Sequence, residues 1–296
     1  MRRRELKNME WGLLVVAIIL SIIGIVALFS ATQETEYDEF KKQIIWFAVS
    51  LIVMVIVMLT NYETLVKLSP IFYGIFLILL VAVLFTKPVN GATSWFDIGG
   101  FSFQPSEFAK VAVILFLAFI ISKIQERYVE DINKPSRLLI IFVAVAIPLL
   151  LIIKQPDYGT AMAFCIALAM ILFAAGIDKK YIIGAIIIAG ISIPILYNFI
   201  LPEHAKKRID IFLNPESDPR GSGYNIIQSK LAIGAGQLTG MGVLKGNQTQ
   251  LGYLYPKTTD FIFSVIGEEM GFIVGRYNYS AICFSGHKSD LHRKNS

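Results

Sequence analysis

The chain has 296 residues, 55% of them hydrophobic, a mean hydropathy of +0.63 and a formal net charge of +5. A soluble domain is about 45–50% apolar, and the excess here is gathered into blocks long enough to cross a hydrocarbon core about 30 Å thick. The basic balance is therefore no sign of nucleic-acid binding, because basic residues at the ends of spans orient a chain in the membrane. Two cysteines and three histidines support neither a disulfide framework nor a His-rich metal centre.

Taken in chain order, the apolar blocks predict spans at 12–30, 43–60, 70–87, 106–122, 138–153, 159–177 and 181–201, with a last one starting at 260. That is about eight helical spans, hence an all-α polytopic bundle, since helices satisfy their own backbone in lipid. The first block is too long for a signal-peptide core and reads as a retained span. Arg2, Arg3, Arg4 and Lys7 ahead of it predict a cytoplasmic N-terminus. Counting forward, Lys67, the group Lys123, Arg127, Lys134 and Arg137, and the pair Lys179 and Lys180 fall on the cytoplasmic side. The segments 34–42, 86–104, 154–159 and about 202–259 fall on the outer side. The last of these carries seven basic residues, and loops of that length translocate with little regard to charge. A plain connector is rarely so long, so structure of its own is expected there. Ile226, Ile227, Leu231 and Ile233 sit at helical spacing and predict a short amphipathic helix on the membrane surface. The glycines of GAGQLTGMG follow no strand, so they indicate no dinucleotide site.

Several polar residues interrupt the apolar pattern. Asp260 opens the last apolar run, where Thr258, Thr259 or Asp260 itself suits a helix cap. A carboxylate at the membrane surface is equally placed to take a proton from a sugar hydroxyl. Glu268 and Glu269 lie deeper, where charge is costly and a partner is expected. An interhelical ion pair, a protonated carboxyl and a cavity role all fit. Pro105 and Ser106 read as a helix start, and Glu107 and Lys110, three apart, share a face as an ion pair or a site. Trp95 suits either an interfacial anchor or a stacking surface for a sugar or lipid head. Asp157 follows Lys154 and Gln155 at a span boundary and suits a cap. Arg208, Arg220 and Lys230 read as a solvated loop or as a basic pocket for a phosphate ester.

The stretches NGATSWFDIGGFSFQPSEFAK, KQPDYGTA, RIDIFLNPESDPRGSGYNIIQSKLAIGAG and TDFIFSVIGEEMGF, in this order, resemble the SEDS family (shape, elongation, division and sporulation). The resemblance covers roughly residues 10 to 273 and is nearer the RodA branch than the FtsW branch. It implies a multi-pass glycosyltransferase with about ten spans that polymerises lipid II into peptidoglycan on the outer face of the bacterial cytoplasmic membrane. It also implies a class B penicillin-binding protein as crosslinking partner and a role in wall elongation and cell shape. Asp260 matches the family's essential aspartate. Trp95 matches its sensitive tryptophan, and Glu107 and Lys110 match residues lining its central cavity. Asp157, Arg208, Arg220, Lys230 and Glu269 complete the expected substrate-contact set. A divalent cation, Mg or Mn, is expected to assist. Two departures stand out: YPKTTD carries no histidine before the aspartate, and the residues after EEMGFIVG match nothing in the family pattern. The expectation is a SEDS-type domain over 1–275, incomplete at its C-terminal side, followed by an atypical polar basic tail over 276–296. A lipid II flippase and a non-catalytic scaffold of a wall-synthesis complex are the competing readings. Clustering of the motifs on the outer side favours the polymerase.

Overall fold

The computed structural model describes residues 11–87, 93–98, 101–126, 132–200 and 203–293. Arg2, Arg3, Arg4, Lys7 and Arg127, used above for orientation, lie outside the described residues. The chain divides into two compact units, one formed by 1–59 with 197–296, the other by 60–196.

In the first unit, α1 (Trp11–Ala31) and α2 (Asp38–Leu59) are joined by a 3-10 turn, Gln33–Thr35. After a π turn, Leu196–Ile200, come α8 (Glu203–Leu213), a 3-10 turn at Pro215–Ser217, α9 (Tyr224–Ala235), α10 (Asn247–Gln250) and α11 (Ile262–Arg293). The long loop thus carries its own helices. One of them, α9, overlaps the predicted amphipathic stretch, but it packs on α11 rather than standing alone. Ala232 is buried there, whereas Leu231 and Ile233 keep large exposed areas, so the apolar stripe is not one buried face. The core of this unit joins Ala27 and Ala31 of α1, Leu254, and Val265 and Ile266 of α11.

In the second unit, α3 (Tyr62–Val83) leads to a short antiparallel hairpin of β1 (Phe96–Ile98) and β2 (Phe101–Phe103), in which Phe96 faces Phe103. Then come α4 (Pro105–Gln125), α5 (Pro135–Lys154), α6 (Tyr158–Ala174) and α7 (Lys179–Ile195). Pro105 and Pro135 stand at the first helical positions, where a missing N–H leaves no bond unmade. Leu80, Val113, Leu117, Ile141, Ile152 and Phe164 fill the core between α3, α4, α5 and α6.

Among the described residues, each apolar block predicted from the sequence contains a helix. Among the described residues, five helices are long and apolar enough to cross a membrane: Trp11–Ala31, Asp38–Leu59, Tyr62–Val83, Pro135–Lys154 and Lys179–Phe199. The largest boundary shifts are at two helix starts. The third helix begins at Tyr62 rather than 70 and carries Pro70 inside it, and the second begins at Asp38. The hairpin was not expected, because two three-residue strands are too short to show alternation in sequence.

Candidate active site

Asp260 lies in the turn between α10 and α11, two residues before the first helical residue, and is exposed. The turn closes on itself through backbone bonds from Phe261 N–H to the Pro256 carbonyl and from Ile262 N–H to the Thr259 carbonyl, each 3.3 Å. Among the described residues no side chain of Thr258, Thr259 or Asp260 caps α11 with a hydrogen bond, and the Asp260 carboxylate is exposed to solvent.

What holds this turn is buried beneath it. Leu254 is 1% exposed and enters the core of the first unit. Lys257, with only 12% of its side chain exposed, donates to Glu34 Oε2 at 3.0 Å and to the Thr249 carbonyl at 2.9 Å. On either side of Leu254, Tyr253 and Tyr255 remain exposed.

Glu268 and Glu269 are 0% and 2% exposed. Neither forms an ion pair with a described residue, so the interhelical ion pair weighed from the sequence is replaced by bonds to amides and hydroxyls. Glu268 Oε1 accepts from Gln248 N–H at 2.7 Å; its Oε2 accepts from Thr249 N–H at 3.0 Å and Thr249 Oγ1 at 2.7 Å. These are free N–H groups in the first turn of α10, where a carboxylate is favoured both by hydrogen bonding and by the helix dipole. Gly246 precedes them, and a Cβ there would stand 2.6 Å from Glu268 Oε2. Glu269 Oε1 accepts from Ser30 Oγ at 2.6 Å and from Gln250 Nε2 at 3.0 Å, and Ser30 Oγ in turn accepts from Leu244 N–H at 3.1 Å. The second oxygen of Glu269 is buried and accepts from no described side chain.

The helix carrying these two glutamates is broken just beyond them. Gly271 has φ 80° and ψ 179°, which ends the regular ladder. The glycine-rich segment 236–242 repairs the break. Met241 and Gly242 N–H donate to the Glu268 and Glu269 carbonyls, both at 2.9 Å. Phe272 and Ile273 N–H donate to the Gln237 and Leu238 carbonyls at 2.8 and 3.2 Å. Buried backbone groups need partners, so the loop replaces the missing helical bonds. Only glycine permits this approach: a Cβ on Gly236 would collide with the Gly267 carbonyl, and one on Gly240 with that of Glu269.

The basic residues of the long loop are placed separately. Arg208 is exposed on α8, Arg220 in the following turn and Lys230 on α9. No bond joins any of them to Asp260. Lys207 pairs with Asp218 at 3.0 Å, and that contact, with Ser222 N–H donating as well, holds the Asp218 carboxyl below its ordinary range.

In the second unit, Trp95 precedes the hairpin and is 39% exposed. Its neighbour Ser94 is buried and donates to the Gln155 carbonyl at 3.2 Å, while Gln155 Nε2 donates to the Leu80 carbonyl at 3.1 Å. Asp157 caps α6, accepting from Thr160 N–H at 3.1 Å, and its other oxygen accepts from Gln104 Nε2 at 2.8 Å. Lys110 and Glu107 form an ion pair at 2.8 Å on α4. Lys110 also borders a small groove with Val113, Ile114, Leu117, Phe164, Ala167 and Leu168.

Among the described residues, no three or more His, Cys, Asp or Glu side chains converge as a metal cage. No chemical step is assigned to the expected divalent cation. Sequence reasoning missed Lys257, Thr249 and Ser30. Only Lys257 gave a signal, as a basic residue three positions before Asp260.

The fold and the site together describe a polytopic, all-α membrane protein with a carboxylate on a braced surface turn. Residues 10–279 match the FtsW, RodA and SpoVE cell cycle protein family, and the chain belongs to that family. It is 36% identical over 269 residues to the peptidoglycan glycosyltransferase MrdB of Escherichia coli K12, covering 90% of this chain and 70% of that one. It is 38% identical over 281 residues to the probable peptidoglycan glycosyltransferase FtsW of Trichlorobacter lovleyi, covering 91% and 72%. Among solved structures, a chain of a peptidoglycan synthase complex that coordinates polymerization and crosslinking superposes with a TM-score of 0.72 at 22% identity, covering 94% of this chain and 76% of that one. The rod shape determining protein RodA of Thermus thermophilus superposes at 0.60 with 20% identity, covering 94% and 73%. At these identities the structural likeness establishes the fold.

Proposed function

We propose that this chain is a peptidoglycan glycosyltransferase that polymerises lipid II into glycan strands for wall elongation. The family membership and the relatives' activity support this reading. The observation that carries it is Asp260, an acidic side chain free toward solvent on a turn whose base is pinned by Leu254 and Lys257.

Asp260 acts as general base. It takes the proton from the 4-hydroxyl of the acceptor GlcNAc, and that oxygen forms a bond to the anomeric carbon of the donor MurNAc. The bond from that carbon to the undecaprenyl pyrophosphate breaks, and the leaving group departs with the electron pair. One displacement inverts configuration from α to β, as single-base inverting chemistry on sugars illustrates. Arg208, Arg220 and Lys230 are assigned to the pyrophosphate, whose developing charge an Arg fork suits. In the second unit, Trp95 and the Glu107–Lys110 pair are assigned to substrate contact by resemblance and Asp157 is placed with them; in the first unit Glu269 is kept in the same substrate-contact set. A divalent cation is kept as a substrate-borne assistant, with no protein site assigned. The helices are read as eight spans with a cytoplasmic N-terminus and Asp260 on the outer face. The partner is a crosslinking class B penicillin-binding protein, and the apolar grooves hold the lipid tails.

The test is polymerisation of fluorescent lipid II in liposomes with the transpeptidase partner present. Glycan ladders from the unaltered chain and none from Asp260→Ala are expected. Equal ladders from both would remove Asp260 from the chemistry.

A further inference from the structure

We infer that Lys257, clamped through Thr249 to the buried carboxylate of Glu268, is a positioning residue that fixes the Asp260 turn. The inference rests on the glycosyltransferase reading for its kinetic consequence and on the structure alone for its conformational one.

The linkage is a continuous path of direct bonds inside one unit. Glu268, on the rigid part of α11, grips the first turn of α10 through three hydrogen bonds to Gln248 and Thr249. The same Thr249 offers its carbonyl to Lys257 Nζ at 2.9 Å. Lys257 reaches across to Glu34 Oε2 at 3.0 Å, in the 3-10 turn following α1. Three residues later comes Asp260. The asymmetry of the ion pair is informative: the lysine side chain is 12% exposed and the glutamate 59%. An ammonium buried to that degree needs its donors satisfied, and the Thr249 carbonyl is the partner that only the folded α10 provides. A lysine that merely served solubility would point outward.

The geometry explains why a carboxylate stands deep in an apolar helix. Glu268 does not approach Asp260. It fixes α10, α10 fixes Lys257, and Lys257 with Leu254 fixes a turn that would otherwise be held by a few long backbone bonds of 3.3 Å. A general base must stay within hydrogen-bond reach of the hydroxyl it serves, and small misplacement is costly in rate. The linkage places that constraint on a rigid helix rather than on the loop itself.

The experiment uses the full chain in liposomes and compares Lys257→Met, Lys257→Arg, Thr249→Val, Thr249→Ser and Glu268→Gln with the unaltered protein. Two quantities are read: steady-state polymerisation of fluorescent lipid II, and amide hydrogen exchange over residues 253–261 and over α1. Lys257→Met should lower kcat by about tenfold to a hundredfold with KM within about twofold, the pattern of a displaced base. Lys257→Arg and Thr249→Ser, which keep a donor and a hydroxyl, should recover most of the lost kcat, whereas Thr249→Val should not. Amides of 253–261 should exchange at least about tenfold faster in Lys257→Met and Glu268→Gln while those of α1 keep their protection, as local opening requires. Unchanged exchange at 253–261 in Lys257→Met overturns the inference, whatever the activity. So does a loss of kcat that Lys257→Arg fails to rescue. If the unaltered chain makes no glycan, the glycosyltransferase reading fails and the exchange data decide the positioning role by themselves.

Discussion

The Ser30 hydroxyl donates to the Glu269 carboxylate at 2.6 Å, joining α1 to α11 across 239 residues of chain. Both side chains are buried, and Ser30 Oγ also accepts from Leu244 N–H and from Gln250 Nε2. Ser30→Val removes a donor to a buried carboxylate and orphans an N–H at the same time. The expected loss is about 1–3 kcal/mol of stability, the usual cost of leaving buried polar groups unmatched. Ser21→Val on the same helix, whose hydroxyl bonds only to the Ala17 carbonyl, should change little. Thermal unfolding of the two variants in detergent separates these outcomes.

The glycine-rich segment yields a second contrast. Gly236→Ala and Gly240→Ala each drive a methyl into a carbonyl of α11, and Gly240 also has φ +83°. Overpacking and backbone strain each cost about 1–3 kcal/mol, so both variants should be poorly folded. Gly252 has a similar φ, +72°, but nothing within 4 Å of its added Cβ. Gly252→Ala therefore carries the strain alone and should remain folded. Yield of monodisperse protein by size-exclusion chromatography checks this ranking.

Asp157, expected from the sequence in the substrate-contact set, has a structural job that can be measured by itself. Its two oxygens serve separate partners, the Thr160 N–H and the Gln104 amide. Asp157→Ala removes the cap and should cost about 0.5–2 kcal/mol. Asp157→Asn keeps a cap oxygen and should cost less, provided its amide can turn away from that of Gln104. Comparing unfolding midpoints of the two variants reads the cap separately from the charge.

The helices were legible because apolar blocks of span length need no tertiary information. The Glu107–Lys110 pair was legible too, since residues three apart on a helix meet whatever surrounds them. The support of the Asp260 turn was not. Glu268 with Thr249, Lys257 with Glu34, and Glu269 with Ser30 are contacts between segments whose order in space no local pattern states. The glycines of 236–242 show in the sequence only an unsuitable nucleotide motif, because their reason lies in a break at Gly271, about thirty residues further along the chain. In the same way Asp260 stood out by residue type and position, while its freedom from capping bonds required the geometry.

Acid should loosen the 214–223 turn before the helices. Asp218 is held below its ordinary range first by the Lys207 hydrogen bond and then by Ser222 N–H. A carboxyl lowered on folding stabilises the folded form above its unfolded pKa, and that stabilisation is lost as pH falls through the lower folded value. The window thus lies below about pH 4, the ordinary aspartate range. Lys207→Met should move the loosening to higher pH. Limited proteolysis with an acid-active protease, followed from pH 5 to pH 2, should show earlier cleavage at this turn in the variant. An unchanged profile would mean that Lys207 does not set the Asp218 proton affinity.

Lys110 permits the cleanest separation of stability from activity in the second unit. Its bond to Glu107 is short, but the glutamate side chain is 51% exposed, and pairs of that kind contribute about 0.2–1 kcal/mol. Lys110→Met keeps the apolar stem beside Leu117 and Phe164, so the fold should tolerate it. Under the proposed role in substrate contact, glycan synthesis should nevertheless fall by about tenfold or more, since one lost charge-assisted bond is worth that much. A variant with both residues exchanged, Glu107→Lys with Lys110→Glu, should restore the ion pair without restoring synthesis. Recovery of synthesis in the exchanged variant would show that the pair serves only to hold α4, and that the lysine makes no contact with substrate.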